Sequence, residues 1–509
     1  MKKAYILIFI LALYLSVSFF RIEEIPGEWF GDISNVHEYV QEILTRKWPF
    51  YFMQSPGPLY HYLITPIVQL FPNHGYETYK IASVGIGLLG LIATYLFVAE
   101  ISSNALASLT SLTMSISFWY LIWSRLGNSQ IIIPALVSLL SLFIARYVKK
   151  MRLPDLLIAA FFASAGWYTY PQTFILPAVL FIFLVFLLII KKKLITYSNQ
   201  ILTLAVTLII MAIPFLNMVR SDKGNFGHYG YIGQKVLPNL SKPLEQLTSK
   251  ITSNYKKTLL MLHMEGDRTF RVNVTGHPHL DRVSGVFLLV GFLYFLKKKN
   301  RLWLFFILWM LFILPLPSIS PALPDAEIPN SARTVSMIPF VFLLVSAGFI
   351  VSFQFLTKFM KKKHFVALLI SLIYAYVVSL NLKLYFADYV NGLPNKNLSS
   401  GRIIAEYIDH LPANINIYFG SCCWAEWGEP EPKSVAYTLR ENRAFIQYNR
   451  VVENCDQIEH FPALVIFGPE DYEKLKLNMF KECFPGAKLT DITLENSELL
   501  FRQIIIPAN

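Results

Sequence analysis

Long apolar runs recur along the chain, each close to the roughly 20 residues that cross a bilayer as a helix. They occupy 4–20, 81–100, 105–122, 131–148, 154–170, 172–190, 200–217, 282–296, 302–316, 335–356 and 365–386. The pattern predicts about eleven transmembrane helices. One further apolar run, 58–71, is shorter and is interrupted by Pro66. The basic clusters decide how it is read. They are Lys2 and Lys3; Lys149, Lys150 and Arg152; Lys191, Lys192 and Lys193; Lys297, Lys298, Lys299 and Arg301; and Lys358, Lys361, Lys362 and Lys363. All fall on one side of the membrane if 58–71 does not cross it. Cytoplasmic loops carry the excess of lysine and arginine, so that side, with the N-terminus, reads as cytoplasmic. The 58–71 run then reads as a juxtamembrane or re-entrant segment of the first external loop. The first apolar run has a second reading as a cleaved signal peptide, because Ser16-Val17-Ser18 resembles a small-x-small cleavage site.

The organisation expected from this is a transmembrane domain, 1–387, and an external α/β domain, 388–509. The external loops of the first domain are 21–80, the long 218–281 and the proline-rich 317–334. In the tail, 401–410 and 471–484 have helical periodicity, whereas 416–420, 463–468 and 499–506 read as short strands.

Composition agrees with a polytopic membrane protein. Of 509 residues, 54% are hydrophobic and 15% charged, against roughly 25% charged in soluble domains. The formal charge of +12 is topogenic, since its lysines and arginines sit where spans end. No basic soluble domain with interleaved aromatics exists to bind nucleic acid. The four cysteines, Cys422, Cys423, Cys455 and Cys483, all lie in the tail. An external location permits disulfides. Adjacent Cys422 and Cys423 rarely pair with each other, so one or two bridges from them to Cys455 and Cys483 are expected, with buried thiols the alternative. The spacing does not resemble a zinc site.

The candidate chemistry begins just past the first span, at Asp32 in Trp29-Phe30-Gly31-Asp32. The stretch 33–44 reads as a short amphipathic helix, so Asp32 fits its N-cap. It also fits a general base, because a carboxylate at a low-dielectric boundary gains proton affinity. Glu38 and His37 follow closely and could serve as a second acid or as metal contacts. Four arginines lie in external segments: Arg125 between two spans, Arg268 and Arg271 in the long loop, and Arg333 entering the tenth span. Arginine there runs against the positive-inside bias and suits bidentate phosphate binding; lipid headgroups are the plainer partner for any single one.

These features together resemble the membrane glycosyltransferases of the GT-C fold. The resemblance is to glycosyltransferase family 39, the dolichyl-phosphate-mannose protein mannosyltransferases, and to the related aminoarabinose transferases acting on lipid A. The family places a catalytic Asp in the first external loop, followed by a Pro-Pro-Leu-Tyr-Tyr-like segment. Asp32 and Gly57-Pro58-Leu59-Tyr60-His61-Tyr62 stand at those places here. Bacterial members are similar in Ser124-Arg125-Leu126-Gly127 and in Trp167-Tyr168-Thr169-Tyr170-Pro171. They are also similar in Gly266-Asp267-Arg268 through Asn273, Gly276, Pro278, Leu280 and Asp281, and in Arg333 with Pro339. Two departures stand out. The family usually reads Asp-Glu where Asp32 is followed by Ile33, and the lipid A enzymes carry a Lys before the proline segment where Gln54-Ser55 stand here.

The resemblance implies a multi-pass protein that takes a sugar from a polyprenyl-phosphate donor, and the compactness of the chain suggests the plasma membrane. The acceptor would be a hydroxyl of a protein, a lipid or a wall polymer at the external face. Asp32 would be the base, and Arg125, Arg268, Arg271 and Arg333 would bind the lipid phosphate. Tyr60, His61, Tyr62 and His263 would line the donor and acceptor groove, with membrane lipids around it. No cofactor is required by that chemistry, although Asp32, His37 and Glu38 could hold a divalent metal. A reading from another class is a lipid or glycolipid transporter or flippase without chemistry. Against it, ionisable residues are scarce inside the spans, and no pair of Gly/Pro-broken helices marks a midplane site.

Overall fold

The computed structural model describes residues 2–30, 33–45, 57–71, 75–221, 242–297, 301–321, 323–360, 363–421, 432–439, 451–469, 473–494 and 498–508. The chain divides into two compact units. The larger comprises Met1–Ile22, Tyr39–Gln69 and Tyr79–Tyr389. The smaller comprises Glu23–Glu38, Leu70–Thr78 and Val390–Asn509.

The helices run in order α1 (Lys2–Phe19), α2 (Ile33–Leu44), α3 (Pro58–Leu70), α4 (Gly75–Ile101), α5 (Asn104–Ile116) and α6 (Phe118–Arg125). Next come α7 (Ile132–Lys150), α8 (Leu153–Ala165), α9 (Leu176–Ile190), α10 (Ser198–Ser221) and α11 (Leu244–Leu260). Then follow α12 (Arg282–Lys297), α13 (Arg301–Ile313), α14 (Ser331–Thr334), α15 (Ile338–Phe359) and α16 (Lys363–Lys383), which continues as a π-helical turn, Leu384–Tyr389. Every apolar run read as a span is helical. Among the described residues, six helices are long and apolar enough to cross a membrane, and the bent pair α5–α6 makes a seventh. Shorter apolar helices cover Tyr5–Phe19, Leu153–Tyr168 and Leu302–Ser318. The protein is thus an α-helical, multi-pass membrane protein. The 13-residue α3 is about 20 Å long, short of the roughly 30 Å hydrocarbon core.

The run 105–122, read as one span, is bent by 62°. Ser117 makes the break. Its hydroxyl donates to the Met114 carbonyl at 2.8 Å and accepts the Tyr120 N–H at 3.3 Å. One side chain thereby ends α5 and caps α6. The freed N–H of Phe118 goes to Asn381 Oδ1 at 2.9 Å. Asn381 Nδ2 donates in turn to Asp281 Oδ2 at 3.0 Å.

Helices α12 and α15 meet backbone to backbone. A Cβ at Gly291 would run into the Leu344 carbonyl, and one at Gly348 into that of Phe287. Small residues let membrane helices approach this closely, where van der Waals contact replaces the hydrophobic drive.

The smaller unit carries a four-stranded sheet of β1 (Asn416–Phe419), β2 (Ala463–Phe467), β3 (Lys488–Thr493) and β4 (Leu499–Ile506). The order is β1-β2-β4-β3, with β1 and β2 parallel and the other pairs antiparallel. Alternation along the strands fills both faces. Ile417, Phe419, Leu464 and Ile466 pack with Ile404 and Ile408 of α17 (Ser400–Asp409) and with Val435 of α18 (Pro432–Thr438). Tyr418, Val465 and Phe467 pack with Leu477 and Phe480 of α19 (Glu473–Cys483). This is the expected small α/β domain, with β3 an additional edge strand.

The disulfide expectation is corrected. Cys455 bonds Cys483, with Cα atoms 6.3 Å apart, rather than either bonding Cys422 or Cys423. Cys483 ends α19 and Cys455 packs against the same core cluster as that helix, so the two sulfurs meet. Cys422 and Cys423 lie outside the described residues.

The glycine contact yields a stability test. Gly348→Val is expected to destabilise by about 1–3 kcal/mol or more, since backbone rather than a side chain must yield. Gly85→Ala, where nothing lies within 4 Å of the added carbon, is expected to be neutral or to gain up to about 1 kcal/mol of helix propensity. Thermal unfolding of the purified proteins in detergent checks both.

Candidate active site

In the larger unit, the chain between α11 and α12 forms a compact loop. Gly266 N donates to Gly276 O at 3.0 Å, and Gly276 N donates to Asp267 O at 2.9 Å. The Asn273 amide donates to the carbonyls of Asp267 and His277 at 2.7 and 2.8 Å. This closure buries the Asp267 side chain. Its Oδ1 accepts the Thr269 N–H at 2.8 Å and its Oδ2 accepts the Ser331 N–H at 2.6 Å. Ser331 opens α14, and its Oγ accepts the indole N–H groups of Trp119 (3.2 Å) and Trp123 (3.0 Å). Those tryptophans share a face of α6, being four residues apart. One carboxylate and one hydroxyl therefore lock loop, α14 and α6 together. Burial raises the proton affinity of Asp267; the N–H groups of Ser331 and Thr269, and the cation of Arg333, pull it back.

Arg333 sits on the same short helix, which Asn330 caps by accepting the Arg333 N–H at 3.0 Å. Its Nη2 holds Glu327 at 2.6 Å. Its Nη1 is buried with no hydrogen-bond partner among the described residues. A guanidinium fork with one donor still open suits an oxyanion. Arg125 is buried at the end of α6. Its Nη2 donates to the Arg21 carbonyl at 2.9 Å, and its guanidinium lies over the rings of Tyr385 (4.9 Å) and Phe386 (5.2 Å). Tyr385 stacks on Tyr389, whose hydroxyl donates to the Arg271 carbonyl at 2.8 Å. Arg125 and Arg271 are thus joined through an aromatic pair. Arg268 instead faces solvent, paired to Glu265 at 2.5 Å, a contact of the kind that contributes about 0–1 kcal/mol. His263 is exposed, with Nε2 3.2 Å from the Gly285 carbonyl.

Two segments singled out in the sequence meet in space. Gly57 N donates to Thr169 O at 2.6 Å, and a Cβ on Gly57 would collide with the Tyr168 carbonyl. Only glycine lets the start of α3 lie against Trp167-Tyr168-Thr169-Tyr170-Pro171. From there Tyr60 shares a hydrogen bond with Ser83 at 2.6 Å. His61 turns Nδ1 to the Gly57 carbonyl at 3.2 Å and meets Tyr39 edge-on. Burial lowers the His61 pKa to about 3, the Gly57 carbonyl opposing, so the imidazole is neutral at neutral pH. Tyr62 packs on Tyr39 and Ile43.

Asp32 lies outside the described residues. Around that sequence position, within the smaller unit, His37 stacks on Tyr437 with centroids 4.2 Å apart and meets Trp29 edge-on at 5.6 Å. Glu38 Oε1 accepts the Tyr437 hydroxyl at 2.6 Å. Burial lowers the His37 pKa to about 4, with Glu38 pulling it up. Glu28, also buried, accepts the N–H of Trp29 at 2.9 Å and of Gly401 at 2.6 Å. It thereby serves the N-terminus of α17, where four N–H groups lack helical partners. Among the described residues no group of three or more His, Cys, Asp or Glu side chains is placed to hold a metal.

Asp267 as a buried anchor, Ser331, Trp119, Trp123, Glu28 and the buried cation Lys80 stand outside the expectation from sequence. The available signal was polar or amphipathic residues inside or beside apolar runs. Lys80, for instance, stands in the first turns of a helix long enough to span.

Residues 54–217 match the family model for dolichyl-phosphate-mannose-protein mannosyltransferase. No curated protein matches the chain by sequence. Among solved structures, the chain is similar to ArnT from Cupriavidus metallidurans bound to undecaprenyl phosphate. The TM-score is 0.54 at 13% identity, over 98% of this chain and 97% of that one. It is also similar to the apo Archaeoglobus fulgidus oligosaccharyltransferase, with a TM-score of 0.50 at 12% identity, over 94% of this chain and 71% of that one. The fold is of the GT-C type, as the motif resemblance implied.

The buried histidines give a pH test. His279 lies edge-on to Trp119 with centroids 4.9 Å apart. Burial lowers its pKa to about 3, the His277 carbonyl opposing and the His277 ring adding. An unfolded histidine titrates near 6.5. Between those values the unfolded chain holds a proton that the folded one refuses, so stability is lost as pH falls from about 6.5 toward 3. His279→Phe keeps a ring against Trp119 and cannot protonate. Its thermal unfolding temperature is expected to fall less than wild type's between pH 7.5 and pH 5.

Proposed function

We propose that this protein transfers a sugar from a polyprenyl-phosphate donor to an acceptor hydroxyl at the outer face of the plasma membrane. The observation that carries this reading is the GT-C fold, matched along 98% of the chain to a protein solved with undecaprenyl phosphate. The mannosyltransferase family model at 54–217 supports it independently. Under this reading the N-terminus is cytoplasmic and the C-terminal α/β region lies outside.

The mechanism is a single displacement. The Asp32 carboxylate takes the proton of the acceptor hydroxyl as its oxygen bonds the anomeric carbon. The bond from that carbon to the phosphate oxygen breaks, and the polyprenyl phosphate leaves with the electron pair. Attack opposite the leaving group inverts the carbon. Negative charge gathers on the departing phosphate, so donors fixed beforehand lower the barrier most. Arg333 suits that task, because its short helix is anchored through Ser331 to the buried Asp267 and one of its donors is open. Arg125, lying over Tyr385, and Arg271, whose main chain Tyr389 holds, are further cations for the same phosphate.

Purified wild type is expected to release sugar from a radiolabelled polyprenyl-phosphate sugar to acceptors in a crude membrane extract. Asp32→Asn is expected to lose transfer by at least about 100-fold, the lower range for removing a general base, while still binding donor. Full activity in that variant would remove Asp32 from the mechanism. If neither protein consumes donor nor binds polyprenyl phosphate, the reading fails and lipid transport is tested instead.

Arg333→Ala is expected to reduce transfer about 100-fold or more, the scale seen for losing one charge-stabilising donor. Arg333→Lys, which keeps charge but not the fork, is expected to recover only part of it. Unchanged activity with lowered yield alone would make Arg333 structural.

A further inference from the structure

The close contact of α12 with α15 has a counterpart on another side of α15, where the packing opens. Between α15 and α16 lies a groove of about 670 Å³, floored by Leu109 of α5 and lined by Phe349, Phe353, Gln354, Ser371 and Ala375 among others. The small side chains of Ser371 and Ala375, one turn apart, leave the space. Its size falls in the roughly 300–1,000 Å³ range of small-molecule sites. The outward stripe of α16, Leu368, Leu372 and Tyr376, is exposed, so the helix borders the bilayer rather than more protein. A space of this size inside hydrocarbon forfeits dispersion contacts along its walls unless something apolar fills it.

Charge selects the occupant. Lys358 stands one turn beyond Gln354 on α15, and His364 opens α16 beside it in sequence. Both are exposed, and neither makes a hydrogen bond or ion pair among the described residues. From 328 to 387 the chain contains no Asp or Glu. Glu100, at the end of α4, is held by Lys149 and Arg146. Lys358 and His364 therefore share α15 and α16 with no carboxylate.

We propose that the groove binds an acidic phospholipid of the surrounding bilayer, one acyl chain lying between α15 and α16 and the phosphate headgroup at Lys358 and His364. Basic pockets between membrane helices recognise anionic headgroups in this way. Binding here needs no glycosyl transfer, so it stands apart from the function proposed above.

Native mass spectrometry of the purified full chain tests it, with equal amounts of phosphatidylglycerol and phosphatidylcholine carrying identical acyl chains. Wild type is expected to retain phosphatidylglycerol in preference. Lys358→Gln is expected to lower that preference about fivefold, the factor for one basic residue near anionic lipid. Ala375→Trp fills the groove and is expected to abolish the retained lipid. Ser371→Leu fills it in part and carries the test if the tryptophan variant does not fold. Equal retention of both lipids by wild type would overturn the proposal, as would undiminished phosphatidylglycerol on the filled variants. Displacement of phosphatidylglycerol by undecaprenyl phosphate, one for one, would also overturn it and assign the groove to the donor's tail.

Discussion

A backbone N–H released inside an apolar bundle must find an acceptor, because no water is there to supply one. The break at Ser117 releases such a group at Phe118, and Asn381 takes it. A short chain of polar contacts in the larger unit runs on from that bond. Asn381 has its orientation fixed by Asp281, which caps the start of α12 through the Ser284 N–H at 2.9 Å. The bend redirects α6 so that Trp119 and Trp123 face Ser331 and Arg125 reaches Tyr385.

The second anchor is the Asp267 carboxylate, which accepts two backbone N–H groups in a buried place. Acceptance of several N–H groups favours the ionised acid, whereas burial favours the neutral one. Both oxygens are already engaged as acceptors, so the anchor is strongest with the acid ionised. Its position beside Arg333 means that the loop following α11 and the short helix α14 cannot move independently. A site built on such a pair is rigid without relying on a long secondary-structure element.

Much of this was legible in the sequence, and for identifiable reasons. Runs such as 335–356 and 131–148 are apolar over a full membrane-spanning length, so existence and type were plain. The bend within 105–122 was not, because hydropathy weighs Ser117 as one small polar residue and is blind to what its hydroxyl bonds. β3 escaped because Lys-Leu-Thr-Asp-Ile-Thr is an exposed edge strand with a polar outer row. The cysteine pairing escaped because spacing does not fix connectivity. At the site, the arginines drew notice by breaking the charge rule for external segments. Asp267, Trp119 and Trp123 did not, since an acid among arginines and tryptophans among leucines look ordinary until their hydrogen bonds are seen.

The smaller unit is built from distant parts of the gene product. Glu28 accepts the N–H of Gly401 from 373 positions away, and Asn397 reaches back to Glu24 and Gly27. Translation proceeds at about 5–20 residues per second. The segment that carries Glu28 is therefore synthesised roughly 20–75 s before the helix it caps. During that interval nearly every membrane helix is made while this stretch lacks its final partners. Completion of the stretch surrounding Asp32 is thus tied to the last quarter of the chain. A ribosome that stops early leaves the larger unit's helices present and Glu28 without the helix end it serves.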